Sequence, residues 1–207
     1  MIPTFPKVKK FYLKVDFKRL NYPPERVLSC EYGLFSNQEY SDARGFNWNA
    51  FKENYQIEKA AIDYADKHSK TAKEFEEILE RFNEDNNFPV GLEDLVVAEA
   101  GVSSIAIALA AFDCVPVTSC RGHPGISGKE DSSPHVAFWA KKIKSKELVS
   151  ILNEYVLKEK DKHIGIDNAE IEGYGGLLLY ANNIPSLMNF AKYLSEPFTS
   201  RSKTKKK

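Results

Sequence analysis

A chain of 207 residues with 43% hydrophobic residues is long enough to bury a sizeable core, which excludes a largely disordered protein. Its 29 basic and 29 acidic residues balance, so no overall charge steers it toward nucleic acid or an anionic membrane. Three cysteines, with no signal-peptide pattern and no apolar run of bilayer length, predict a soluble cytoplasmic protein without a disulfide framework.

Composition and periodicity divide the chain into three parts. We expect an N-terminal strand, an aromatic loop and a helical annex in residues 1–88, an α+β core in residues 89–196, and a basic disordered tail in residues 197–207. The strand is predicted because large apolar side chains alternate with polar ones from Phe11 to Phe17, as on a half-buried strand.

Two segments are candidates for contact with partners. Residues 32–48 combine aromatic residues with turn formers, so they either pack onto the core, which is the favoured interpretation, or dock a protein partner. The last seven residues carry five positive charges and are a candidate for phosphate contact with a nucleic acid. A solvated end is the commoner use of such a tail.

Helical spacing of apolar residues predicts two helices within residues 51–84. Thr71 can cap the second helix, with Glu74 three residues later completing a capping box. The polar side of this helix is expected to face solvent. That side comprises Lys73, Glu76, Glu77, Glu80 and Arg81.

A third helix is predicted within residues 89–112, beginning after Gly91, and it is apolar around most of its circumference. Such a helix is buried on several sides. Glu99 is the exception among its apolar neighbours, and a carboxylate in that position lies at a rim or has a partner. Arg121 is a candidate partner if the following strand packs on this helix.

Strands and helices alternate in pairs from residue 115 onward. Strands are predicted at 115–119, 135–140, 164–171 and 175–180, and helices at 145–158 and 184–194. The order helix-strand-strand-helix-strand-strand-helix is typical of an α+β fold in which helices cover one face of an antiparallel or mixed sheet. A ferredoxin-like sandwich is the nearest common pattern.

The candidate site is the loop after the first of these strands, because a thiol, a guanidinium, an imidazole and flexible glycines fall together there. In one interpretation it binds an anion or a nucleotide. Arg121 is then the charged contact, and Ser119, Gly122 and His123 complete the pocket, with Glu99 beside Arg121. On that interpretation, Arg121→Ala weakens ligand binding and leaves the fold intact.

Two further chemical interpretations compete with anion binding. Cys120 can act as a nucleophile, with His123 or His135 as its base. Cys120, His123 and His135, with Cys114 nearby, also offer nitrogen and sulfur ligands for a metal. Their spacing is not a zinc-finger pattern, so the sequence assigns no metal ligands and no cofactor. A turn without any chemical role competes with all three interpretations.

The stretch Thr118-Ser119-Cys120-Arg121-Gly122 follows a buried helix and a short strand and precedes a strand that contains Trp139. In this it resembles the core of the third wybutosine-synthesising tRNA methyltransferase family, which has a Ser-Ser-Cys-Ser-Gly-Arg stretch in similar surroundings. The resemblance covers about twenty-five residues. Here Arg121 precedes the glycine, and His123 replaces the family's arginine. The resemblance implies S-adenosylmethionine and tRNA as ligands.

The leading expectation is a binding or accessory domain that holds an anionic ligand, a nucleic acid or a protein partner at the 118–135 loop. Nucleic acid would be contacted through Arg121 and the basic tail, and a protein partner through residues 32–48. The alternative is a nucleotide- or RNA-modifying enzyme that uses Cys120, His123 and His135 for acid–base or nucleophilic work.

Overall fold

The computed structural model describes residues 2–3, 11–29, 42–84, 98–123 and 133–196, without the side chains of residues 82–84. Several predicted features lie outside the described residues. They are the basic tail, most of the aromatic segment 32–48, the first part of the predicted third helix, residues 124–132 of the loop, and the domain boundary between residues 88 and 89.

The elements follow one another in the predicted order, and the α+β class is confirmed. In chain order they are α1 (Trp48–His68), α2 (Ala72–Glu84), α3 (Ser103–Ala111), β1 (Cys114–Cys120), β2 (His135–Ala140), α4 (Lys142–Glu159), β3 (Ile164–Ile171), β4 (Tyr174–Ala181) and α5 (Ile184–Ser195). A short 3-10 turn, Glu25–Val27, precedes them. Among the described residues, no helix is long and apolar enough to cross a bilayer.

The four strands form one antiparallel sheet in the order β1-β2-β4-β3. Two hairpins, β1-β2 and β3-β4, therefore join through the central pair β2 and β4. The register of β1 shifts between Pro116 and Thr118, where a β-bulge is expected because proline cannot donate to the ladder. After the bulge, Cys120 lies directly opposite His135 on β2.

One face of the sheet packs against the helices and forms the main core, which includes Phe138 and Leu179. The opposite face forms a smaller cluster in which Trp139 packs with Leu28 from the N-terminal segment. Helix α3 lies within the main core and is buried from Ser103 to Ala110, as its apolar circumference predicts. Because α3 contacts α1, α5 and β1, the strand that leads into the site starts from a rigid support.

Helix α3 begins later than the sequence predicts. Gly101, with φ of +108°, adopts a left-handed conformation just before Ser103, so the helix cannot extend back through it. A Cβ at Gly101 would lie 2.9 Å from Ile184 and 3.2 Å from the Cβ of Arg121, so the turn also packs too closely for any larger residue. This turn holds Glu99 beside the end of β1.

The predicted N-terminal strand is extended but does not join the sheet as a regular strand. Exposure alternates from Phe11 to Phe17 as the pattern predicts. The amide N–H of Ile166 donates to the Tyr12 carbonyl at 2.7 Å, and the amide of Asp16 donates to the Asn168 side chain at 2.8 Å. These two bonds hold the segment along β3. Because one of them goes to a side chain, they do not form the regular backbone pairing of a β-sheet.

The cap that Thr71 was predicted to provide for α2 is confirmed, and the Glu74 carboxylate bonds the amide of the residue that precedes Thr71. The Glu74 amide donates to Thr71 Oγ1 at 3.1 Å, and the Glu74 carboxylate accepts from the Lys70 amide at 2.6 Å. The expectation that the whole polar side of α2 faces solvent is wrong for Glu76, whose side chain is fully buried. A buried carboxylate requires partners, and those partners come from the end of β1.

Candidate functional site

The end of β1 reaches α2 through a sharp local turn. Gly122, with φ of +96°, and His123, with φ of +42°, both adopt left-handed conformations directly after Arg121. Glycine takes this conformation without cost, whereas histidine does so less readily. The turn places the side chains of Arg121 and His123 against the carboxylates of α2 and of the segment before α3.

Arg121 is the buried centre of a cluster of side chains at the end of β1. The members of the cluster are Glu76, Glu80, Glu99, Cys120, Arg121 and His123. The Arg121 side chain is 0% exposed and bonds three carboxylates: Nη2 lies 2.7 Å from Glu76 Oε1 and 2.7 Å from Glu80 Oε1, and Nη1 lies 3.0 Å from Glu99 Oε2. Nε donates to both oxygens of Glu76, and the backbone amide of Arg121 donates to Glu99 Oε1 at 2.6 Å. The guanidinium fork is therefore occupied within the protein.

This geometry confirms the pairing of Glu99 with Arg121 and changes the expected role of the arginine. Burial lowers the pKa of Arg121, but the hydrogen bond and charge of Glu76, with the charges of Glu99 and Glu80, raise it above its ordinary value overall. Arg121 is charged, enclosed and paired, so it is not placed to contact an exogenous anion. The prediction that its removal leaves the fold intact also conflicts with this burial.

His123 is held by α2 and directed toward Glu99. Its Nδ1 lies 2.5 Å from Glu76 Oε1, and its Nε2 lies 3.4 Å from Glu99 Oε2. A carboxylate at Nδ1 favours the tautomer that carries its proton there, which leaves the Nε2 lone pair facing the front of the cluster. The side chain is 13% exposed, so solvent reaches it.

Cys120 completes the front of the cluster. Its Sγ accepts the amide N–H of Gly122 at 3.3 Å, and the residue is half-buried. The sulfur of Cys120, a nitrogen of His123 and a carboxylate oxygen of Glu99 lie within 4.8 Å of one another. A second such group consists of His123 with Glu76 and Glu80, so His123 belongs to both.

The other predicted site residues have different positions. Ser119 lies within β1 opposite Val136, and Gly122 shapes the turn. His135 lies opposite Cys120, but its Nδ1 bonds the Ser133 carbonyl at 2.7 Å, and it is not part of either donor group found among the described residues. Cys114 lies at the far end of β1, where burial raises the pKa of its thiol.

Sequence reasoning missed Glu76 and Glu80. Both lie beside the apolar stripe of α2, one residue after Phe75 and Leu79 respectively, and that offset from the buried positions is the signal in the sequence. The partner of Glu76 lies 45 residues away in the chain, so local pattern alone does not distinguish its burial from solvent exposure.

The cluster is acidic overall. Three carboxylates face a single guanidinium among the described side chains, which leaves two negative charges when His123 is neutral and one when it is protonated. Burial makes such an excess costly unless a cation balances it. The arrangement can bind a positive ligand, hold a metal ion, or use His123 in proton transfer.

The comparisons with known proteins give no family for this chain. No family model, no curated protein and no solved structure matches it. The resemblance to the wybutosine-synthesising methyltransferase family stays a prediction, and the functional argument rests on the geometry of the cluster.

Proposed function

We propose that the chain is a ligand-binding domain whose site lies at the end of β1 and takes a cationic ligand. The observation that carries this proposal is the charge of the cluster, in which three carboxylates surround one guanidinium. The sequence favoured an anionic ligand because Arg121 offers a planar guanidinium beside flexible glycines. With Arg121 neutralised by the protein itself, the remaining charge favours the opposite sign.

The exposure of the cluster supports access from one side. Glu76 and Arg121 are fully buried and form a closed back wall. Glu80 and Glu99 are 42% and 21% exposed, and they lie at the front with His123. A cation that enters there meets carboxylates already fixed by Arg121, so little side-chain freedom is lost on binding.

A thermal denaturation experiment tests the sign of the ligand. Zinc ion, magnesium ion and spermidine are compared with inorganic phosphate, because a ligand that binds only the native state raises Tm. We expect at least one cation to raise Tm and phosphate to leave it unchanged. Glu80→Gln should reduce the cation's effect, whereas Glu77→Gln, which removes a charge from an exposed position on the same helix, should not. A rise with phosphate alone would contradict the proposal.

A second candidate is a thiol-dependent enzyme, which corresponds to the alternative predicted from the sequence. One observation favours it: His123 is bonded through Nδ1 to the buried carboxylate of Glu76, and Cys120 lies nearby. Thiol, imidazole and carboxylate in this relation form the arrangement in which a base activates a nucleophile and a third group orients the base. This candidate ranks second because the net charge of the cluster favours a positive ligand.

A further inference from the structure

We infer that the cationic ligand is a zinc-class divalent metal ion bound by Glu99, Cys120 and His123. This inference rests on the proposed function and specifies its ligand. One carboxylate oxygen, one sulfur and one imidazole nitrogen lie within 4.8 Å of one another. Thiolate and imidazole are the donors that zinc prefers, whereas magnesium and calcium prefer oxygen donors alone. The mixed set therefore favours a metal of the zinc class.

The distance between His123 Nε2 and Glu99 Oε2 matches the edge of a tetrahedral site. Ligand atoms at the usual zinc distances lie about 3.3–3.4 Å apart when both are nitrogen or oxygen, and about 3.6 Å apart when one is sulfur. His123 Nε2 and Glu99 Oε2 are 3.4 Å apart. Cys120 Sγ needs to approach the other ligand atoms by no more than about 1.2 Å from the outer limit of 4.8 Å, which a side-chain torsion supplies.

The contact between His123 and Glu99 leaves room for a bridging metal ion. With its proton on Nδ1, the imidazole presents a lone pair at Nε2, and Glu99 presents another at Oε2. Two acceptors facing each other repel unless a proton or a metal ion lies between them. The observed 3.4 Å matches the edge of a metal site.

The residues behind these ligands form the support that metal sites require. A metal-binding histidine usually donates its other N–H to a carboxylate, and Glu76 lies 2.5 Å from Nδ1 of His123. Ligating carboxylates are also hydrogen-bonded, and Glu99 accepts from both the backbone and the side chain of Arg121. Arg121 thereby fixes Glu99 directly and His123 through Glu76.

Charge and ligand number agree with this assignment. Cys120 releases its proton when it binds a metal ion, so the cluster with a neutral His123 then has three uncompensated negative charges, and the two positive charges of the ion offset two of them. The described residues supply three ligands, and a tetrahedral site whose fourth position holds water or another oxygen donor is typical of catalytic rather than structural zinc sites. When bound, a zinc ion would act as a Lewis acid at that position.

Calorimetric titration of zinc chloride into the metal-free full chain tests the inference. We expect one zinc ion per chain and at least a tenfold weaker affinity for Cys120→Ser, His123→Ala and Glu76→Gln. His163→Ala is the matched control and should bind zinc like the wild type, because His163 bonds Asn182 beside β3, at the opposite edge of the sheet from β1. Unchanged binding in both Cys120→Ser and His123→Ala would overturn the assignment.

Cobalt(II) absorption of the wild-type chain keeps the test decisive if a variant fails to fold. A thiolate ligand gives an intense charge-transfer band, which we expect to appear with cobalt and to disappear when zinc is added. Its absence would contradict a Cys120–metal bond. If zinc and cobalt do not bind but spermidine still raises Tm, the metal assignment fails and the cation-binding function stands. If no cation binds, both proposals fail.

Discussion

Replacement of Arg121 by alanine isolates the interaction that organises the candidate site. The guanidinium is fully buried and bonds Glu76, Glu80 and Glu99 at 2.7–3.0 Å. Removing it leaves the Glu76 carboxylate enclosed without its cation, and water cannot replace that cation at a site without exposure. The variant should therefore lose stability, in contrast to the expectation from the sequence alone.

The expected loss of stability follows from the burial of the ion pair between Arg121 and Glu76. Breaking a buried ion pair by removing one partner costs about 3–5 kcal/mol, because the remaining charge stays desolvated. Glu80 and Glu99 are partly exposed and recover hydration, so Glu76 accounts for most of the cost. In a domain of this size that loss corresponds to a fall in Tm of roughly 6–20 °C.

Urea unfolding followed by tryptophan fluorescence, to which the buried Trp139 contributes, measures this loss directly. Arg81→Ala is the matched control, because Arg81 lies on the exposed side of α2. The double variant with Glu76→Gln should recover part of the stability, since it removes the uncompensated charge. A loss below about 1 kcal/mol, equal to that of the control, would refute the argument that the cluster is held by a buried guanidinium.

Two other predictions concern the buried carboxylate of Glu58 and the thiol of Cys120. Glu58→Ala should lower the free energy of unfolding by roughly 3 kcal/mol or more, because Glu58 accepts the N–H groups of Gly101, Ser103 and Ser104 at the buried start of α3. Chemical denaturation measures this, and a loss no larger than that of the exposed Glu53→Ala would contradict it. Iodoacetamide should label Cys120 in the native metal-free chain, and zinc should slow the labelling at least tenfold; labelling at the same rate with and without zinc would count against Cys120 as a ligand.

Much of the fold is predictable because its signals are local. Strand β2 has the predicted bounds 135–140, β3 has the bounds 164–171, and α5 begins at Ile184 as expected. These segments have clear periodicity between turn residues. The late start of α3 was not predictable from hydrophobicity. The apolar pattern continues through Gly101, but the left-handed conformation of this residue prevents the helix from extending back through it.

The candidate site was predictable in place but not in chemistry. Cys120, Arg121 and His123 lie together because they are neighbours in sequence, and Glu99 was correctly paired with Arg121. The carboxylates of α2 reverse the sign of the site's charge, and they join it only through tertiary packing. The sequence alone predicts that an arginine in such a loop binds an anion, because the carboxylates that neutralise its guanidinium are distant in the chain.

X-ray diffraction from crystals grown with zinc, recorded on both sides of the zinc absorption edge, tests the central claim most directly. We predict one anomalous peak between Glu99, Cys120 and His123, at about 2.0–2.3 Å from an oxygen, the sulfur and Nε2. A cluster without such a peak, with zinc bound elsewhere or not at all, would contradict the account.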